Sequence, residues 1–260
     1  MTTWPMDLAK SRILVTNDDG IDAPGLAVLI EIAESLSSDV WVVAPTVDHT
    51  GAGHSLTLRR PLRVHERGPK RFAVDGTPTD CVLMALNEIM AENMPNLVLS
   101  GVNRGANLGE DVTYSGTIAA ALEATILSVP AIAMSQYFVE REEIRWDTAR
   151  RHGPDMVRRL TQLGWPADNL ISVNYPSTGA DKIKGVRLAE QGVGKSGDQI
   201  VRGTDPRGEA YYWIGELVNI DAWPEGSDLE AVTDGYISIT PIKTNFTDPA
   251  TLKSLQQAFD

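Results

Sequence analysis

Two rhythms of apolar positions alternate along most of the chain. Short, mostly apolar runs recur at 12–16, 40–44, 97–99, 131–134 and 170–173. Between them lie longer segments whose apolar residues return every three or four positions. Segment 24–36 places Leu26, Leu29, Ile30, Ala33 and Leu36 on one helical face, and 78–90, 117–127 and 147–163 also read as helices. Continuous apolar strands alternating with helices predict an α/β fold with a mostly parallel sheet covered on both faces. In such sheets ligands bind beyond the carboxyl ends of the strands.

After about Gly185 the rhythm changes. "GVRLAEQ", "GEAYYWIGE" and "GYISITPI" have strand character, and no helix separates the first two. The pattern predicts a β-hairpin arm over 190–223, a last core strand at 236–240 and a terminal helix within 247–260. No repeat or linker divides the chain, so 1–260 reads as one domain.

The polar residues that interrupt this pattern gather at the ends of three expected strands, near Asn17, Pro45 and Ser100. "ILVTNDDGIDAPGL" (13–26) runs from an apolar strand into two adjacent aspartates. An Asx-type turn, or an N-cap before the helix at Pro24, accounts for one of them but not for both. Two carboxylates at a desolvated strand end repel each other, and a hard divalent cation, Mg²⁺ or Mn²⁺, resolves the repulsion. "HTGAGHSLT" (49–57) offers the Thr50 hydroxyl beside Gly51, where a ligand can approach the backbone. His49 and His54 read as polar loop residues there, lacking a third ligand at metal spacing. "DGTPTDCV" (75–82) reads as a capped helix start, with Thr77 and Asp80 at capping-box spacing around Pro78. "SGVNRGANLGEDVTYSGTIAAALEA" (100–124) is a Gly-rich polar loop entering an Ala-rich helix. There Asn103 can offer an amide oxygen to a metal, and Ser115, Gly116 and Thr117 form an oxyanion cradle at the helix start.

Two stretches imitate nucleotide loops. "GVGKSG" (192–197) contains Gly-Lys-Ser, but position 189 is Ala where a P-loop needs Gly, and no helix follows. It reads as a turn. "GAGHSL" (51–56) lacks the third glycine of a dinucleotide fingerprint.

Charge sharpens the picture. A formal net charge of −12 argues against nucleic-acid and anionic-membrane partners. An anionic substrate then needs a local cation, which the Asp pair can recruit. The single cysteine, Cys81, has apolar neighbours and reads as a core residue. With no apolar leader at the N-terminus, these features point to a reducing, cytoplasmic location.

Taken together, "NDDGIDAPGL", "GHSLTL", "GTPTDCV", "SGVNRGANLGEDVTYSGT", "DPRGEAYYWIG" and "TDGYISITP" occur in an order that resembles the SurE family of stationary-phase survival proteins. The resemblance extends from about Ile13 to Pro241. It implies a Rossmann-like three-layer core and a metal-dependent phosphomonoesterase acting on nucleoside 5′- and 3′-monophosphates, some members also cleaving short polyphosphate. It further implies one divalent cation per subunit, held by Asp18, Asp19, Thr50 and Asn103. Asp18, Asp19 and Asn103 serve catalysis on this reading. Asn17, Gly51, Asn103, Ser115, Gly116 and Thr117 surround the phosphate. Homodimers or homotetramers built through the C-terminal arm and helix are implied as well. The chain departs from the family at Thr50, where Ser is usual after a basic segment; here the segment is "TVDHTG". Thr keeps the ligating oxygen but is stiffer at χ1. A haloacid-dehalogenase-like phosphatase is disfavoured because its Asp-x-Asp spacing is missing. A non-catalytic nucleotide sensor on the same fold is the alternative.

Overall fold

The apolar run at 13–15 needs cover on both faces, and the structure supplies it. A computed structural model describes residues 3–139, 143–219 and 223–259. Strand β1 (Arg12–Thr16) sits inside a nine-stranded sheet. Ile13 and Val15 point into one apolar cluster, whereas Leu14 points into the other. The first cluster is closed by α1 (Pro24–Glu34) and α4 (Trp146–Leu163). The second is closed by α2 (Pro78–Met84) and α3 (Gly116–Ile126). Helices on both faces of one sheet make a three-layer α/β architecture.

The strands that deliver the polar ends are neighbours. Parallel to β1 run β2 (Asp39–Pro45) on one side and β5 (Leu97–Arg104) on the other. Next to β5 come β6 (Ala131–Gln136) and β7 (Asn169–Tyr175), also parallel. Beyond β2 a hairpin of β3 (Val64–Gly68) and β4 (Arg71–Val74) forms one edge of the sheet. At the other side β11 (Ile237–Lys243) pairs antiparallel with β7 and parallel with the short edge strand β8 (Val186–Leu188).

Several details differ from the sequence reading. Strand β5 continues to Arg104 rather than opening into a loop at Ser100, and its register with β6 slips between Ser100 and Asn103. Gly101 permits this course. Its φ is +128°, and a Cβ there would stand 2.1 Å from the Met134 carbonyl oxygen. Helix α2 is followed by a π-type turn over Ala85–Ile89. Lys195 and Ser196 of the P-loop imitation open strand β9 (Lys195–Thr204) instead of lying in a turn. β9 pairs antiparallel with β10 (Ala210–Asn219) as a separate two-stranded arm, the hairpin expected over 190–223; its residues 220–222 lie outside the described ones. A short helix α5 (Asp228–Thr233) then returns the chain to the sheet, and α6 (Pro249–Phe259) is the terminal helix. Among the described residues no helix is long and apolar enough to cross a membrane.

Candidate active site

Because β2, β1 and β5 are adjacent and parallel, their carboxyl ends form one rim. The tight turn after β1 is made by Asn17, whose Nδ2 donates to the Gly20 carbonyl at 2.9 Å. Helix α1 starts at Pro24 behind Ala23, which offers no side-chain cap. Neither aspartate is therefore spent on a turn or a helix start, and the bland reading of the pair fails locally.

Asp18 is only 3% exposed and accepts the Thr117 hydroxyl. Burial raises its carboxyl from the ordinary 3.8 to about 6, with the neighbouring Asp19 adding to the effect. Asp19 is less buried, and its Oδ2 accepts the Arg104 peptide N–H at 3.1 Å. Its carboxyl is also raised, by burial first and by the charge of Asp48 second to that, while Arg104 opposes both. Desolvation of a carboxylate disfavours its charged form unless a counter-charge is supplied. Among the described residues no Lys or Arg forms an ion pair with Asp18.

The loop after β2 reaches the same place. The His49 peptide N–H donates to the Asp18 carbonyl at 2.9 Å, fixing the loop to the pair. Thr50 is exposed, and both its N–H and its hydroxyl donate to Asp48 Oδ1 at 2.7 Å, which leaves the hydroxyl lone pairs for another partner. Gly51, at φ +76°, has open space where a Cβ would be. From β5, Asn103 donates its Nδ2 to the Gly105 carbonyl at 2.9 Å, so its amide oxygen is the group left to act as a ligand.

The start of α3 completes the rim. The Ser115 side chain caps the helix by accepting the Ile118 N–H at 3.0 Å. Gly116 lies against Asp18, since a Cβ there would stand 2.7 Å from Asp18 Cβ. Thr117 spends its hydroxyl on Asp18. What this turn can offer an anion is thus its unpaired peptide N–H groups, as helix starts do, and the Ser115 hydroxyl hydrogen.

Other motif residues hold the rim in place. The Thr77–Asp80 capping box is present in both directions, and Asp80 Oδ1 also takes the Thr57 N–H at 3.1 Å. Thr77 donates to the Ser55 carbonyl at 2.7 Å, tying the 49–57 loop to α2. Asn107 and Asn174 exchange hydrogen bonds at 2.8 and 3.1 Å, pinning the Gly-rich loop to β7. Asp228 accepts the N–H groups of Gly109 and Gly192 at 3.0 and 2.9 Å. His54 faces Glu123 at 2.7 Å, more than an idle loop residue would do. Burial pushes the Cys81 thiol up, in keeping with a core residue.

Sequence reasoning assigned no role to Asp48 or Arg104. Asp48 carried no signal beyond its closeness to Thr50. Arg104 could have been found as the lone cation beside Asn103. Among the described residues no three His, Cys, Asp or Glu side chains gather as a metal cage. The donor set at the rim is of another kind: two carboxylates, a hydroxyl and an amide oxygen. Hard oxygen donors of this sort suit Mg²⁺ or Mn²⁺, which keep several waters and need few carboxylates. Asn17 Oδ1, Thr16 Oγ1 and Ser100 Oγ, at the adjoining ends of β1 and β5, are buried without a hydrogen-bond partner among the described residues. A buried carboxylate lacking a counter-charge, with orphaned oxygens beside it, fits a cation.

Comparison with known proteins gives the family. Residues 13–198 match the model of the family described as survival protein SurE. A protein of Paramagnetospirillum magneticum named 5′-nucleotidase SurE is 52% identical over 260 residues, covering 100% of both chains. One of Rhodopseudomonas palustris with the same name is 50% identical over 244 residues, 92% of this chain and 96% of that one. Among solved structures, the SurE protein from Aquifex aeolicus superposes with a TM-score of 0.83 at 37% identity, covering 96% of this chain and 100% of that one. A family match over most of the sheet, and relatives at half identity along the whole length, lead to one conclusion: the chain belongs to the SurE family.

Proposed function

We propose that this chain is a divalent-cation-dependent phosphomonoesterase that hydrolyses nucleoside 5′-monophosphates. The names of its relatives support a 5′-nucleotidase, and the observation that carries the cation is the buried, uncompensated Asp18 carboxylate. Asp18, Asp19, Thr50 and Asn103 would hold one Mg²⁺ or Mn²⁺. When bound, the cation supplies Lewis acidity toward the phosphoryl oxygens and the attacking water.

The chain's own groups do the rest. Thr117 fixes the rotamer of Asp18, and the Arg104 N–H fixes that of Asp19. Peptide N–H groups at the start of α3, from Gly116 and Thr117, face the phosphoryl oxygens as charge shifts onto them. Gly51 and the Asn17 turn leave room for the phosphate to approach the backbone. Asp19, less buried than Asp18, orients the water and takes its proton as the water oxygen attacks phosphorus. The P–O ester bond breaks, and the nucleoside oxygen leaves and takes up a proton. Because the grip is on the phosphoryl group, nucleoside 3′-monophosphates and short polyphosphate are further substrates in this proposal. The lone buried thiol suits work in a reducing cytoplasm.

Phosphate release from AMP or GMP in the presence of Mn²⁺ tests the reading. Wild type should turn over, and Asp19→Asn, nearly isosteric, should stay folded while losing about a hundredfold or more. Normal turnover in a folded Asp19→Asn protein would remove Asp19 from the site. No phosphate release by wild type would leave the sensor alternative standing.

A further inference from the structure

Beside the strand-end rim Asp19 also walls a second space, a cleft of about 320 Å³. Asp48 and Arg104 line it with Asp19, and Pro24, Ile144 and Trp146 supply an apolar side. Neither a metal ion nor a phosphate needs an indole and an isoleucine. An aromatic ring does.

The indole is held firmly. Trp146 is the first residue of α4, partly buried against the cluster that α1 and α4 close. Its Cη2 would lie 3.0 Å from a Cβ on Gly25, and that same Cβ would lie 2.0 Å from the Val102 carbonyl oxygen. Glycine at 25 therefore lets α1 approach β5 closely and lets the indole reach over to the cleft. On the facing strand the Arg104 guanidinium lies 5.8 Å from the Phe138 ring centroid, so an aromatic surface steers the cation. Its backbone N–H is already bound to Asp19, which makes the cleft and the metal rim continuous at one residue pair.

We propose that this cleft is the nucleoside subsite, with the base stacked on Trp146, Pro24 and Ile144 closing the apolar side, and Arg104 donating to an acceptor on the base or sugar. The inference rests on the phosphomonoesterase reading, since it places the phosphate at the Asp pair. Ligand pockets begin at about 300 Å³, so the space suits one nucleoside and not a dinucleotide. Stacking accepts every base, because every base has a π face. The enzyme should therefore discriminate weakly among bases, and a sugar phosphate with no base should bind more weakly than a nucleotide.

The test compares a purine nucleoside 5′-monophosphate with ribose 5-phosphate, using the full chain with Mn²⁺. In wild type the KM for ribose 5-phosphate should exceed that for the nucleotide. Trp146→Ala should shrink that KM ratio about tenfold, the usual size of a lost base–aromatic stack, with kcat for the nucleotide changing less than KM. Trp146→Phe should keep most of the ratio. Ile144→Glu, on the loop ahead of α4, should shrink it without touching the indole, and serves if Trp146→Ala does not fold. An unchanged ratio in folded Trp146→Ala or Ile144→Glu would overturn the subsite. If wild type releases phosphate from neither ester, the proposed activity fails, and calorimetric Kd values for the same two ligands read the same ratio. The cleft is then judged separately: a Kd ratio that collapses in the variants keeps it, and one that does not removes it.

Discussion

Asp18 is the residue on which the proposed cation binding and folding stability would pull against each other. Its carboxyl titrates at about 6 in the folded chain against 3.8 ordinarily, because burial outweighs the Thr117 hydrogen bond. A raised folded value means the folded state holds the proton more tightly than the unfolded chain. Its stabilising contribution is complete below about pH 3.8 and is lost as pH rises through about 6. The difference between 3.8 and about 6 corresponds to about 3 kcal/mol. Metal-free protein should therefore lose stability from this group between about pH 4 and 6, and Asp18→Asn should flatten that slope. At pH 7 without metal, Asp18→Asn should be more stable than wild type by up to about 3 kcal/mol, though inactive. Added Mn²⁺ should reverse the ranking, because a ligand that binds only the folded state stabilises it by mass action. Urea denaturation of both proteins across this pH range, with chelator and with Mn²⁺, checks the signs. Equal stabilities of the two proteins at every pH, with chelator and with Mn²⁺ alike, would mean that Asp18 carries no uncompensated charge.

At the scale of elements, the start of α3 shows how little room the site leaves. In an open helix Gly→Ala gains about 1 kcal/mol. At Gly116 the new Cβ would meet Asp18 Cβ at 2.7 Å, Asp18 Oδ2 at 2.9 Å and Pro78 Cγ at 3.0 Å. Overpacking of this kind costs about 1–3 kcal/mol and outweighs the propensity gain. Gly116→Ala should be destabilised in urea and should bind Mn²⁺ more weakly by calorimetry, since Asp18 must shift; a more stable variant with unaltered Mn²⁺ affinity would refute the contact.

Much of the element pattern was legible beforehand. Strands β1, β2, β6 and β7 announce themselves because burial on both faces demands unbroken apolar runs, and the Thr77–Asp80 cap because its chemistry is local. The β3–β4 hairpin was not visible. "VHERG" is an exposed strand whose charges suit a sheet edge, and such a strand carries no alternation to read. The course of β5 past Ser100 was hidden for a different reason: Gly101 and the slipped register are set by packing against β6, which no single segment encodes. At the site itself residue types could be read, whereas partners could not. Thr117 looked like an anion ligand until its hydroxyl proved to be spent on Asp18.

For the whole molecule the outstanding feature is the arm. Pairing of β9 with β10 sets Trp213 opposite Val201 and Ile214 opposite Ile200. Successive strand residues point to opposite faces, so Tyr211 and Trp213 share one face while Tyr212 and Ile214 share the other. All four are exposed, at 46%, 67%, 62% and 77% respectively. Gly203, across from Tyr211, leaves the ring space to lie over the partner strand; a Cβ there would be 2.3 Å from it. A lone two-stranded ribbon is marginal in water, and this one shows apolar surface on both sides with no third layer among the described residues. Helix α6 adds to the imbalance, with no buried residue and with Leu252, Leu255 and Phe259 exposed. Apolar surface of this extent is what interfaces bury, and a second copy of the chain, related by closed symmetry, would be its simplest cover. Light scattering at micromolar concentration should then give at least twice the 28.2 kDa of one chain. Replacing Trp213 and Ile214 by Glu puts a charge on each face of the ribbon and should lower that mass. The Asp18 titration, set by burial and by Thr117, Asp19 and Asp48, none of them on the arm, should not move. A wild-type mass of one chain would remove the interface reading and leave the arm's exposure to be explained by some other partner.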